Sequence, residues 1–565
     1  MLLLIRELLA KMKLLKNNLS TCIILGVILV FAFFIRAYNL SSVPNGFHVD
    51  EAIIADNANF ILNTGRDTNN NFLPLQTEVF GDYNPTGYTY LAIIPIKILG
   101  LTVFAVRSVG VFLGVLAVLG VFFLAYSIFE KISIGLLASF FMALSPWDII
   151  VSRSTEETAS SLVFIVFGFA LLIWGVKREK IPYLLSATLL LFISYFMYFT
   201  PRFFVPLLFL TFFVPLKFWY KNRAKLFTKV FIGCFIFLGI TSFLLIVGVS
   251  GGSSRFNQVS IFGFPETRLV MEEKIREDGG TRSMPIAVTR IFHNKIVDYS
   301  VTYVNNYLQY FSGDFLFIKG GFPIWLSSPG TGLVYIVELP FIIYGLYVFV
   351  KEKKKWSFVL LLWLLLGPAT ASLTVDDIPN VRRALVMVPV IEILAAFGFL
   401  TAIRSIPRSF RTLGIIFLAA IFMFNSLYFF HQYFVHSPVH RNWYRYEGFN
   451  QVMEYVKKDY PNYEKIVVSK SFGAIYPEIL FFTNFKPSKY LEEGSPKDKD
   501  GSGFGKFFFV SSECPTLDID PRLSKVGKIM YVEDGRCKVS KIRQYRKYVY
   551  VNHKDNTKAF RIVYD

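Results

Sequence analysis

Residues 19–37 read LSTCIILGVILVFAFFIRA, an apolar run that meets its first charge only at Arg36. At about 1.5 Å per residue, a helix over this run matches the ~30 Å hydrocarbon layer of a bilayer. Before it stand Arg6, Lys11, Lys13 and Lys16 in a basic, amphipathic stretch, and no small-residue cleavage pattern lies close to its end. It therefore reads as an uncleaved signal anchor with a cytoplasmic N-terminus. Further apolar stretches repeat the theme at 107–128, 132–145, 158–175, 182–199, 203–219, 230–249, 331–350, 356–374, 384–401 and 412–430. Hydrophobic residues make up 54% of the 565-residue chain, too much for a disordered or collagen-like protein. Their grouping into bilayer-length runs assigns their burial to lipid.

The basic residues test this topology, because Lys and Arg in short loops stay on the cytoplasmic side. Lys131, then Lys177, Arg178 and Lys180, then the 217–229, 351–355 and 404–411 clusters all fall in alternate loops, on the same side as the N-terminus. The apolar run from Tyr88 to Leu99 is too short to cross and reads as an interfacial or re-entrant helix. The net charge of +19 is thus distributed over loops that face anionic headgroups, so membrane lipid is the expected partner and nucleic acid is not.

Three segments then lie outside: 38–106, 250–330 and everything after Phe430. The last has alternating stretches (Lys465 to Ser469, Lys506 to Val510, Lys528 to Val532, Tyr548 to Val551) and a helix-like stretch from Gly448 to Lys458. The expected architecture is an all-α polytopic membrane bundle of about eleven transmembrane helices. A transmembrane domain over 1–430 carries extracytoplasmic loops and is followed by an α+β domain over 431–565. Cys514 and Cys537 share that outer domain, where an oxidising compartment permits a disulfide that the sequence alone does not establish.

The first outer segment carries Pro44-Asn45-Gly46-Phe47-His48-Val49-Asp50-Glu51, then Thr64-Gly65-Arg66-Asp67 and Gly81-Asp82-Tyr83-Asn84-Pro85. Adjacent carboxylates just beyond a spanning helix can sit in a groove at the membrane surface, where partial desolvation makes a better base. His48 beside Asp50 and Glu51 is compatible with a divalent cation, but the spacing fixes no geometry, and neither a metal ligand set nor a cofactor is assigned. Glu338 and Glu392 fall inside predicted spans and are expected to pair within the bundle.

The succession of a first span, a loop with Asp50-Glu51, a Thr-Gly-x-Asp turn, Tyr83-x-Pro85 and Ala105-Val106-Arg107 resembles the membrane-embedded C-type glycosyltransferases. The branch it resembles contains the protein O-mannosyltransferases and the lipid A aminoarabinose transferase. The resemblance continues through Ser145-Pro146-Trp147, Ser152-Arg153-Ser154-Thr155-Glu156-Glu157, Tyr198-Phe199-Thr200-Pro201-Arg202 and Asp377-Ile378-Pro379-Asn380-Val381-Arg382-Arg383, covering the membrane part.

The resemblance implies inverting transfer of a sugar from a polyprenyl-phosphate donor to an acceptor on the extracytoplasmic face, whether protein, lipid or polysaccharide. Asp50 maps onto the family's catalytic carboxylate, with Glu51 beside it. Glu157, or its neighbour Glu156, maps onto an acidic residue of the second outer loop. An inverting reaction needs a base on the acceptor side, and a leaving phosphate needs cations instead of a general acid. Arg382 and Arg383, and with them Arg107, Arg153 and Arg202, are the candidates to hold the donor phosphate. Arg153 and Glu157 stand four apart and would pair if one helix held both. A multi-span lipid or solute transporter or flippase is the alternative, disfavoured because no internal repeat is visible and the singled-out charges cluster at the outer boundary.

Overall fold

The computed structural model describes residues 19–218, 225–247, 259–282, 284–352, 356–440, 443–538 and 547–564. The basic N-terminal stretch, the cluster members Lys221, Arg223 and Lys353 to Lys355, and the start of the second outer segment lie outside the described residues.

Among the described residues seven helices are long and apolar enough to cross a membrane: Leu19–Ala37, Val103–Phe129, Glu157–Arg178, Thr200–Lys217, Lys225–Val247, Leu385–Ser405 and Arg408–His440. An eighth crossing forms if Ile132–Leu144 and Pro146–Ser152, bent by 57° at Ser145, count as one span. The hydropathy reading of eleven is therefore met in part. The other three stretches are helical but short, at 14 residues for Ile181–Ser194, 13 for Leu339–Lys351 and 10 for Ser357–Leu366. Pro340 at a first turn and the Gly367-Pro368 step limit the last two, since proline at a helix start or just past its end restricts extension. The Gly87–Leu99 helix, 13 residues with Pro95 inside it, is likewise short of bilayer length.

Burial sorts the helices. In Glu157–Arg178, 94% of the apolar window is buried inside the protein, against 11% in Arg408–His440, so the first is the axis of the bundle and the second its rim. Small residues bring two helices together at the Leu339–Lys351 and Val388–Ser405 crossing. A Cβ on Gly398 would lie 1.9 Å from the Phe341 carbonyl oxygen, so only glycine fits. Deep in the bundle Arg36 pairs with Asp148 at 2.6 Å and also donates to the carbonyls of Met142 and Ala143, tying the first span to the 145 bend. Glu338 and Glu392 are both fully buried.

The segments expected outside gather at one end. There β1 (Gln76–Val79) and β2 (Asp82–Pro85) form a hairpin. Beside it stands a five-stranded sheet of β3 (Lys465–Ser469), β4 (Phe507–Val510), β5 (Ile529–Asp534), β6 (Lys547–Asn552) and β7 (Lys558–Tyr564), in the order β4-β3-β5-β7-β6. β3 runs parallel to β4 and β5, whereas β7 is antiparallel to β5 and β6. The sheet has its own core, but that core takes in Phe60 from the Val49–Thr64 helix, and Phe47 stacks on Phe481 at 4.5 Å. Lys497 pairs with Glu78 at 3.1 Å. Sheet region and membrane bundle are therefore packed into one body. At the opposite end Lys177 pairs with Glu130 at 2.8 Å, in two loops expected on the other side.

Candidate active site

The site is built on the start of the Val49–Thr64 helix. Gly46 precedes it at φ 68°, and a Cβ there would lie 2.1 Å from the Arg445 carbonyl oxygen, so the turn requires glycine. His48 is the N-cap. Its Nδ1 accepts from the Asp50 backbone N–H at 3.2 Å, while Glu51 accepts from the His48 N–H at 3.1 Å, which closes a capping box. Burial pushes the His48 imidazole below its ordinary value, which favours the neutral form whose Nδ1 can accept. The ring stacks on Trp325 at 4.5 Å, which holds the cap in place. Both acidic residues sit in the first turn, where the helix dipole favours negative charge.

The two carboxylates have different fates. Glu51 is buried and receives Arg107 through two parallel bonds of 2.9 Å, Arg445 at 2.8 Å, and the Thr155 N–H and hydroxyl at 3.1 Å each. Arg107 also donates to the carbonyls of Leu40, Pro44 and Gly46. Burial alone would raise the Glu51 carboxyl, but the Arg107 and Arg445 guanidiniums outweigh it and hold the group far below the usual carboxylate range. Asp50, with its side chain 40% exposed, points instead into a cavity of about 270 Å³.

That cavity is lined by Asp50, Glu157, Arg202, Arg382 and Arg383, among apolar groups such as Phe199, Phe203, Ile246 and Leu373. The Arg382 guanidinium lies 3.6 Å from Asp50 Oδ2 and 3.7 Å from Glu156 Oε2, bridging the two loops. Glu156 is buried, which pushes its carboxyl up to about 7; Arg382 opposes that shift and Asp50 adds to it. The backbone N–H groups of Arg382 and Arg383 both donate to Asn380 Oδ1 at 3.0 Å, a side-chain turn that aims the two arginines. Arg383 binds Asp376 with bonds of 3.0 and 2.8 Å and Thr374 at 2.7 Å, so it is anchored, whereas the ion pairs of Arg382 are longer, at 3.6 and 3.7 Å. Arg202 donates to the carbonyls of Tyr195 and Leu245 beneath the Phe199 ring.

The sequence-predicted residues thus divide. Asp50, Glu157, Arg202, Arg382 and Arg383 meet around one cavity. Glu51, Arg107 and Arg153 are not among the lining residues. Arg153 donates to the carbonyls of Ile35, Arg36, Tyr38 and Val43 and lies under Phe434, so it anchors the end of the first span. The expected Arg153 to Glu157 pair is replaced by this arrangement, because the chain turns at Ser154 to Glu156 and the two residues belong to different helices. Cys514 and Cys537 are joined, with Cα atoms 5.7 Å apart, linking the loop after β4 to the turn after β5. Arg445 is not legible in the sequence: nothing in its surroundings there marks it, and its partner Glu51 is 394 residues away. Among the described residues no three His, Cys, Asp or Glu side chains converge as a metal site.

No protein-family model matches the chain, and no curated protein matches it in sequence. Among solved structures it is similar to the archaeal oligosaccharyltransferase AglB from Archaeoglobus fulgidus in complex with an inhibitory peptide and a dolichol-phosphate. Identity is 14% and the TM-score 0.51, over 82% of this chain and 64% of that one. The same oligosaccharyltransferase in complex with zinc and sulfate aligns at 12% identity and a TM-score of 0.51, over 95% of this chain and 72% of that one. ArnT from Cupriavidus metallidurans bound to undecaprenyl phosphate aligns at 10% identity with a TM-score of 0.43, over 97% and 98% of the two chains. The chain spans just under two thirds of the length of the first of these proteins. Its fold is that of the membrane-embedded C-type glycosyltransferases.

Proposed function

We propose that the protein is an inverting glycosyltransferase that moves a sugar from a polyprenyl-phosphate donor to an acceptor at the extracytoplasmic face. The observation that carries this reading is the meeting of Asp50 with Arg382 across one cavity whose remaining wall is largely apolar. A lipid-linked donor is a headgroup of phosphate and sugar on a hydrocarbon chain, and the wall offers cations for the first and Phe199, Phe203 and Ile246 for the last.

In the reaction the acceptor's nucleophilic atom attacks the anomeric carbon, and the bond from that carbon to the phosphate oxygen breaks. Asp50 takes the acceptor's proton from the face opposite the leaving group. The polyprenyl phosphate departs with its negative charge held by Arg382, with Arg383 and Arg202 behind it. Arg382 already bridges Asp50 and Glu156. A phosphate that draws its guanidinium away frees Asp50 for the acceptor, so donor binding readies the base.

The test is purified protein in lipid with a panel of radiolabelled polyprenyl-phosphate sugars, reading release of the polyprenyl phosphate. Asp50→Asn is expected to lower transfer by about 10²- to 10⁴-fold, the usual contribution of a positioned base, while unfolding is unchanged. Full transfer by this variant removes Asp50 from the chemistry.

A further inference from the structure

The helix Lys295–Gln309 is amphipathic the wrong way round for a surface in water. Asp298 and Asn306 face the protein, and the stripe Val297, Val301, Val304 and Leu308, spaced i, i+4, i+7 and i+11, faces away. Val304 is 49% exposed, Leu308 59% and the adjoining Ile296 79%. The preceding helix Ile286–Phe292 continues the surface with Ile286, Ile291 and Phe292, all exposed.

This orientation is held by polar bonds on the inner side. Lys274 pairs with Asp298 at 2.9 Å, and Asn306 donates to the carbonyls of Ser372 and Thr374 at 3.3 and 2.9 Å. Rolling the helix to bury its apolar stripe would break those bonds, so the stripe is covered by something other than this part of the chain. Its position says what. The Tyr307 hydroxyl donates to the Leu365 carbonyl at 2.9 Å, at the end of the apolar helix Ser357–Leu366, where Leu365 is itself exposed. The stripe therefore continues the outward apolar surface that the bundle presents to lipid. Arg290 and Lys295, both exposed, flank the junction of the two helices, and Tyr303 and Tyr307 stack along the second. Cations and tyrosines at the border of an apolar face are the pattern of a helix at the headgroup level.

We infer that residues 286–309 lie in the bilayer interface, their apolar stripe among phospholipid acyl chains, at the end of the bundle that carries the sheet region. This reading stands apart from the proposed chemistry, since it needs only that the chain spans a membrane. It has a consequence for the cavity: Asn306 holds the backbone of Ser372 and Thr374, and Thr374 lines the cavity with Thr370, Ala371 and Leu373. The cavity wall is thus braced by a lipid-seated helix.

The test uses the full chain in phosphatidylcholine vesicles with Cys22 and Cys234 replaced by serine and the Cys514 to Cys537 bridge intact. An environment-sensitive fluorophore is attached at Val304→Cys and, as a reference, at Lys525→Cys on the sheet region. The label at 304 is expected to lose most of its fluorescence to doxyl-labelled phosphatidylcholine and little to aqueous iodide, with the reverse at 525. Iodide quenching at 304 equal to that at 525 overturns the inference. So does protection from both quenchers, which would mean a protein cover such as a second copy. Should Val304→Cys fail to fold, Ile296→Cys carries the same comparison.

Discussion

Replacing Glu51 by Gln keeps the shape of the side chain and removes its charge. In the native protein this carboxylate accepts from Arg107, Arg445, Thr155 and the His48 backbone, with its side chain 3% exposed and that of Arg107 fully buried. The amide retains one oxygen for these donors and turns an NH₂ toward a guanidinium. Two buried cations are then left without a counter-charge, and breaking a buried pair in this way costs about 3–5 kcal/mol. The assay is thermal unfolding of purified protein in lipid or detergent, wild type against Glu51→Gln, with Arg445→Met added in a second variant. The single variant should unfold at markedly lower temperature, and the double should recover part of the loss because one stranded cation is gone. The pH dependence has a definite sign. The native carboxyl is held below its ordinary value of 4.5, so the stability it supplies is present above that pH and is lost as pH falls toward the native value. The gap between wild type and Glu51→Gln should therefore hold from neutral pH to about 4.5 and narrow below it. An unchanged unfolding temperature combined with abolished transfer would refute the reasoning and make Glu51 the reacting carboxylate.

The remaining predictions concern the cavity. Arg382→Ala should raise the apparent KM for the lipid-linked donor by about tenfold or more, the worth of a charge-assisted hydrogen bond of roughly 1.5–3 kcal/mol; an unchanged KM in steady-state kinetics would move the phosphate elsewhere. Glu156, pushed up to about 7 from 4.5, binds its proton more tightly in the folded than in the unfolded chain, so it withdraws stability as pH rises between those values and not beyond. Glu156→Gln should therefore unfold at an increasingly higher temperature than wild type from pH 5 to pH 7. A difference that is flat across this window, measured by thermal scans in lipid, would mean that the carboxyl is not strained in the fold.

Much of the bundle is legible in the sequence because lipid imposes a length on whatever crosses it, and apolar runs of that length stand out between basic loops. Where proline and glycine shorten the helices, as at Pro340 and Gly367-Pro368, hydropathy alone overstates a helix's reach. In the sheet region the alternating strands β3 to β6 are readable. β7 is not, since Arg561 interrupts its apolar pattern and is buried against Glu533 at 2.6 Å, a pairing invisible from either strand alone. At the site the acidic loop and the Arg382-Arg383 pair are legible as residue types at an outer boundary. Roles are less so, because they depend on partners far along the chain. Arg107 and Arg153 look in sequence like any interfacial arginine, and only the folded loops show their donors engaged by backbone carbonyls.

The division between Asp50 and Glu51 follows from one feature of helical geometry. Successive residues project about 100° apart, so two neighbouring carboxylates at a helix start point in different directions. In this fold the second is turned into the core, where Arg107 from the Val103–Phe129 helix and Arg445 from the approach to the sheet region meet it. The first is left facing the cavity, with the Arg382 guanidinium 3.6 Å away. The sheet region is packed against the start of this helix. Through Arg445, whose carbonyl accepts from the Phe47 N–H at 2.8 Å, it fixes both the backbone before the cap and the charge behind it. The base proposed here, Asp50, has to hold its place if a donor phosphate draws Arg382 away. Here its position is set by the buried neighbour next to it in the chain, not by the cation in the cavity.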